Sequence, residues 1–156
     1  MVSNHWKPGR GALGTLSPLI GEWRSAPGDD KPASRAPCTR RFAPFGKSWL
    51  RLEADWDMPN ASYREFAMFG RDADGRLVFW SFTNDGKRSN GAACDGADVH
   101  PAAIAFLAEM PAGTARMIYW PADDQPGFRF AVESRTRKGW NRFFEHLYRP
   151  ATRISL

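Results

Sequence analysis

Phe128, Phe130 and Val132 alternate with Arg129, Ala131 and Glu133, so one side of this stretch is apolar and the other mixed. That is the period-two pattern of a half-buried β-strand. The same period runs through Leu50, Leu52, Ala54 and Trp56 against Arg51, Glu53 and Asp55. Further extended segments are predicted at Cys38 to Phe45, Trp49 to Trp56, Tyr63 to Arg71, Leu77 to Thr83, Ser89 to Cys94, Arg116 to Trp120 and Trp140 to Arg149, with Trp23 opening the first strand. Ala102 to Met110 has alanines and a preceding His100-Pro101 that would also start a helix. Its short length, and the turn Met110-Pro111-Ala112-Gly113 that follows, favour a strand.

Between these segments stand short turns. Asp72-Ala73-Asp74-Gly75 and Asn84-Asp85-Gly86-Lys87 carry Asp-Gly hairpin chemistry, and Phe45-Gly46-Lys47-Ser48 and Asp95-Gly96 are glycine turns. About ten strands joined by short turns predict an all-β chain, a single antiparallel up-and-down barrel that leaves no open edge. Before the first strand, Leu13, Leu16, Leu19 and Ile20 recur at helical spacing with Ser17 and Pro18 interrupting, which predicts a short helical turn acting as a lid or plug. Residues 1–12, with Pro8, Gly9 and Gly11 among polar groups, are expected to be a flexible arm, 13–150 the barrel domain and 151–156 a tail. The proline-flanked run from Ala26 to Ser34 is expected to be a long loop at the barrel mouth.

Composition narrows the classes. The 156 residues suit one core, and the seven Trp and eleven Phe put the apolar content in flat side chains that strands favour. A net charge of +5 would suit an anionic ligand, but acids are interspersed with the bases nearly everywhere, and no aromatic-basic motif of a single-strand binder is present. No nucleic-acid partner is therefore expected. No stretch approaches the roughly 18 apolar residues of a membrane span, and Cys38 and Cys94 have no CxxC neighbour and read as free thiols, so the expected place is the cytoplasm. Walls carrying exposed Trp or Phe would suit a homodimer.

Candidate chemistry concentrates in the last strand. Alternation puts Trp140, Arg142, Phe144, His146 and Tyr148 on one face and Asn141, Phe143, Glu145, Leu147 and Arg149 on the other. With the first face inward, Arg142, His146 and Tyr148 form a row suited to a carboxylate in an apolar barrel, with Trp140 and Phe144 beside it, or offer His146 to an iron. With it outward, Arg142 and His146 are solvated, and Phe143 and Leu147 are core. Catalysis has little to stand on: His5, His100 and His146 share no metal-ligand spacing, and the serines lack a nucleophile elbow. Asp72 to Gly75 does not continue as a calcium loop, because Arg76 and Thr83 stand where oxygen ligands are needed.

Leu19-Ile20-Gly21-Glu22-Trp23 resembles the Gly-x-Trp first strand of lipocalin-like, or calycin, barrels. Phe128-Arg129-Phe130, Gly139-Trp140 and Phe144 through Pro150 are similar to the closing strands of uncharacterised bacterial lipocalin-like domains. The resemblance implies that Trp23 packs against an arginine of the last strand, Arg149 or alternatively Arg142, at the closed end, in a contact worth roughly 0.5 to 2 kcal/mol. Pro18 to Trp23 and His146-Leu147 also resemble the nitrobindin group of haem-binding barrels, which implies His146 as a haem ligand; the chain differs from that group in Tyr148-Arg149-Pro150 and in Arg24 to Pro27. The function expected is non-enzymatic binding of a small, mostly apolar molecule, either neutral or anionic, in the barrel without a cofactor. A haem-binding barrel using His146, or a scaffold without a cavity, are the alternatives.

Overall fold

The computed structural model describes residues 6–25, 36–59, 61–123 and 125–151. The 26–34 loop, the first five residues of the arm and the tail from 152 onward lie outside them. Ten antiparallel strands form a closed barrel in sequence order: β1 (Gly21–Ser25), β2 (Cys38–Phe45), β3 (Trp49–Asp57), β4 (Ser62–Arg71), β5 (Leu77–Thr83), β6 (Arg88–Cys94), β7 (Ile104–Met110), β8 (Gly113–Pro121), β9 (Phe128–Thr136) and β10 (Gly139–Pro150). Pairing of Trp23 with Pro150 and of Ser25 with Tyr148 joins β1 to β10 and closes the sheet. The His100-Pro101-Ala102 segment is a turn that delivers β7 as a strand. At the Asp72 turn, the aspartate side chain accepts hydrogen bonds from the backbone of Asp74 and Arg76 while Gly75 takes φ +80°, so the residues that predicted the hairpin also build it.

One end of the barrel is plugged. A 3-10 turn, Gly14–Leu19, follows Leu13 with Pro18 inside it, and Leu16 and Leu19 are buried in the core cluster with Trp23 and Phe128. Gly21 leaves the turn at φ +140°, a conformation that a side chain would strain, and sets Trp23 across the floor. There the Trp23 indole donates to the Leu19 carbonyl at 2.7 Å and meets the Phe128 ring edge-on at 4.9 Å. Of the arm residues described, Trp6 is anchored, whereas residues 7–12 are exposed. Trp6 is buried, its indole donating to the Ala102 carbonyl at 2.9 Å, so the large apolar ring extends the floor rather than trailing in solvent.

The expected closure by Arg149 is also corrected. The β1–β10 register sets Arg149 opposite Arg24, and paired residues share a face, so Arg149 stands on the outer wall while Trp23 faces in. Aromatic packing and the Leu19 carbonyl make the seal instead.

Candidate functional site

Above the floor the barrel interior changes character. On β2, Cys38, Arg40 and Phe42 are buried while Arg41 is exposed, so the inward side places an arginine in the middle of the barrel. Arg40 is 2% exposed. Its Nε donates to the Tyr148 hydroxyl at 3.1 Å and its NH1 to the Tyr119 hydroxyl at 3.3 Å, and its guanidinium lies 4.2 Å from the centre of the Phe130 ring. Register explains its nearest carboxylate. Arg40 opposes Ala54, and Ala54 opposes Glu65; the alanine methyl leaves the space through which Arg40 NH2 comes to 3.9 Å from Glu65 Oε1. The other Glu65 oxygen accepts from Ser81 Oγ at 2.5 Å.

This pairing is loose. At 3.9 Å the two charges attract without a hydrogen bond, and Glu65 keeps 18% of its side chain exposed while Arg40 keeps almost none. Burial works against the Arg40 charge but is outweighed by the charges that Tyr148, Tyr119 and Cys38 would carry if they ionised and by the Glu65 carboxylate, so the guanidinium does not lose its proton before those groups lose theirs. Burial pushes the Tyr119 hydroxyl up to about 12 and raises Tyr148 and the Cys38 thiol above their ordinary values, so these neighbours are neutral hydrogen-bonding groups at pH 7.

Arg40 and Glu65 form the base of a cavity of about 240 Å³. Trp56, Met117, Phe130, Val132 and Phe144 supply apolar walls, Ser81 and Thr83 add hydroxyls, and Lys87 and Arg88 stand at the rim. Three cations thus face one carboxylate among its lining residues. Beneath Arg40 a second void of about 30 Å³ lies among Phe69, Phe79, Phe106 and Tyr119, so the charged pair divides a polar-based chamber from the closed aromatic core.

The residues expected to line the cavity do not all reach it. Arg142 opposes Glu133, and Phe144 opposes Val132, so Phe143 is an extra residue in β10. Such a bulge shifts the side-chain alternation by one. Beyond it, Phe144, His146 and Tyr148 point inward, and Phe144 lines the cavity. Before it, Trp140 and Arg142 point outward, which corrects the single five-residue face. Arg142 there lies 4.9 Å over the Trp120 ring and bonds Glu133 and Glu145 at 3.0 and 2.9 Å. Trp140 lies under the Arg116 guanidinium at 4.6 Å, and Arg116 grips both Asp98 and the buried Glu133. These groups form an outer-wall ion-pair lattice that ties the segment around Asp98 to the sheet. Arg116 holds the Asp98 carboxyl below the usual carboxylate range.

His146 is fully buried beside Phe144 and Tyr148, and its Nδ1 lies 3.0 Å from the Tyr148 hydroxyl. It points into the barrel interior and is not among the residues that line the cavity. Among the described residues no group of three or more His, Cys, Asp or Glu side chains is arranged to hold a metal ion. Cys38 is buried and Cys94 half-buried, both free thiols. No helix among the described residues is long and apolar enough to cross a membrane.

Fold and site together define a closed ten-stranded barrel with one plugged end and a chamber, based on a buried arginine, at the other. Comparison with protein-family models and with curated proteins finds no match to the chain. The residues that sequence reasoning missed are Arg40 and Glu65. Their signal was parity: Arg40 alternates in phase with Cys38 and Phe42, and Glu65 with Ala67 and Phe69, so each stands among inward apolar residues.

Proposed function

We propose that the protein is a calycin-like binding barrel for a small, mostly apolar molecule carrying an anionic group, seated with that group toward Arg40. The observation that carries this reading is a permanently charged arginine, nearly inaccessible from outside, at the base of an otherwise apolar chamber and only loosely paired. Burying a cation costs several kcal/mol, and a structure stabilised for its own sake would fill this position with an apolar residue. Lys87 and Arg88 at the rim add to the attraction for an anion. At about 240 Å³ the chamber falls just below the roughly 300 to 1,000 Å³ of pockets that enclose drug-sized ligands, so the occupant is small. The two free thiols suit a reducing compartment, which supports a cytoplasmic location.

The test uses a matched pair of probes, octanoate and octanol, titrated against the fluorescence of the protein, since Trp56 lines the chamber. Octanoate is expected to bind at least about tenfold more tightly, the equivalent of about 1.4 kcal/mol for one charge-assisted contact. Met117→Trp, which fills the chamber, is expected to abolish both. Equal affinity for acid and alcohol removes the anion from the reading, and octanoate binding unchanged in Met117→Trp removes the chamber.

A further inference from the structure

The outer wall of β3 to β6 carries a block of side chains that the barrel core does not use, with Arg88 at its edge also standing at the chamber rim. Cross-strand register arranges them in two rows. One row reads Glu53, Phe66, Phe82, Arg88, and the next reads Arg51, Met68, Trp80, Asn90. Phe66, Trp80 and Phe82 are all exposed, Phe82 by 51%, and Trp49 extends the apolar surface by leaning on Trp80 with ring centres 5.8 Å apart. Four large apolar side chains thus occupy the centre of a two-by-four grid, with charge confined to its edges. Central apolar groups with a charged rim are the anatomy of an association surface rather than of a solvated wall.

The grid is also complementary to itself. A two-fold axis lying in the contact plane and parallel to the strands keeps each row and exchanges its left and right ends. It sets Glu53 against the second copy's Arg88, Phe66 against Phe82, Met68 against Trp80 and Arg51 against the polar Asn90. Arg88 forms no ion pair among the described residues, whereas the nearest cation to Glu53 is its own neighbour Arg51, at 4.0 Å. A depression of about 270 Å³ beside Glu53, lined by Asp55, Phe66 and Phe82, gives a long arginine side chain somewhere to lie. The alternative in-plane axis, perpendicular to the strands, would place Glu53 against Arg51, repeating a pairing that already exists within one chain and leaving Arg88 beside Asn90.

We infer that this wall is the contact face of a homodimer, with Glu53 of each copy paired to Arg88 of the other across the stacked Phe66 and Phe82 rings. Two convex barrel walls meet over a smaller area than the roughly 800 Å² per partner of a standard interface, so the dimer is weak, with a Kd of about 1 to 100 µM.

Sedimentation velocity of the whole protein from about 1 µM to about 0.5 mM tests this, spanning that range on both sides. The wild type is expected to pass from monomer to dimer, and Phe82→Lys to stay monomeric while keeping the wild-type circular dichroism. Glu53→Arg and Arg88→Glu are each expected to raise Kd by at least about tenfold, and Glu53→Arg with Arg88→Glu to return it to within about threefold of wild type. A wild type that stays monomeric throughout, or a Phe82→Lys variant that dimerises as the wild type does, overturns the interface. A double variant as weak as the product of the two single losses overturns the pairing.

Discussion

Replacing Arg40 by methionine separates what the arginine does for the fold from what it does for the chamber. The substitution removes a donor to Tyr148 at 3.1 Å, a longer one to Tyr119 at 3.3 Å and a cation 4.2 Å over Phe130. Taking about 1.5 to 3 kcal/mol for the good charge-assisted bond, less for the long one, and about 0.5 to 2 for the ring contact gives a gross loss of roughly 3 to 5 kcal/mol. Against this stands relief from burying a cation that is 2% exposed, itself worth several kcal/mol. These two terms roughly cancel, and the net destabilisation expected, about 1 to 2 kcal/mol, is a separate cost at Glu65, a partly buried carboxylate left with Ser81 but without its cation. Neutralising that carboxylate as well, in Arg40→Met with Glu65→Gln, is therefore expected to bring stability back to within about 1 kcal/mol of wild type. Urea unfolding followed by circular dichroism measures all four corners of this cycle; in heat unfolding each 1 kcal/mol moves Tm by about 2 to 4 °C for a chain of this size. The same samples should lose the preference for octanoate over octanol. A loss of more than about 5 kcal/mol in Arg40→Met, unrelieved by Glu65→Gln, would show that Arg40 holds the barrel together and would refute its assignment to a ligand.

Two further outcomes follow from the geometry. Deleting Phe143 removes the extra residue and makes Arg142 and Phe144 direct neighbours, so regular alternation keeps Trp140 and Arg142 outward and Phe144, His146 and Tyr148 inward; the deletion variant is expected to unfold cooperatively in urea within about 2 kcal/mol of wild type, and loss of the cooperative transition would mean that the strand does not tolerate regular pairing there. All three tyrosines have raised values, with burial the largest cause in each and Tyr119 at about 12. Because the folded state favours the neutral phenols, their contribution to stability is complete below the ordinary tyrosine value of about 10 and is lost as pH rises from there through the folded values. Phenolate absorbance should therefore lag behind free tyrosine at pH 10 and rise together with the loss of near-ultraviolet circular dichroism; half-ionised tyrosines near pH 10 in an intact fold would contradict this.

Much of the barrel was legible because its signals are local. Alternation in Leu50 to Trp56 and Phe128 to Val132, and the Asp-Gly turns, act within a few residues, and the strands formed there. The site was legible only in part, because its assembly depends on register between strands distant in sequence. Nothing in β10 alone marks Phe143 as an extra residue, since that is defined by the Glu133 and Val132 positions of β9. The last strand was therefore read in one phase, which carried Arg142 into the chamber with His146. Trp23 and Arg149 failed to meet for the same reason: one residue of register decides the face, and the pairing with Arg24 turns Arg149 outward. Arg40 was different, since its phase with Cys38 and Phe42 was visible, but a charge in an apolar row reads as an exception until Tyr119, Tyr148 and Glu65 are seen converging on it.

The closure that joins Trp23 to Pro150 has a consequence for the order in which the protein can be made. Every other strand pairs with its neighbour in sequence, so β1 through β9 can zip together as synthesis proceeds. β1 must wait for β10, and until that strand emerges the growing sheet has two open edges, at β1 and at its newest strand, with its floor aromatics exposed between them. Such edges are templates for pairing with other chains, and a contact spanning nearly the whole chain is slow to form. The most hazardous moment for this barrel therefore comes once β9 has paired, just before the last dozen residues of the sheet leave the ribosome and convert an aggregation-prone ribbon into a surface without edges.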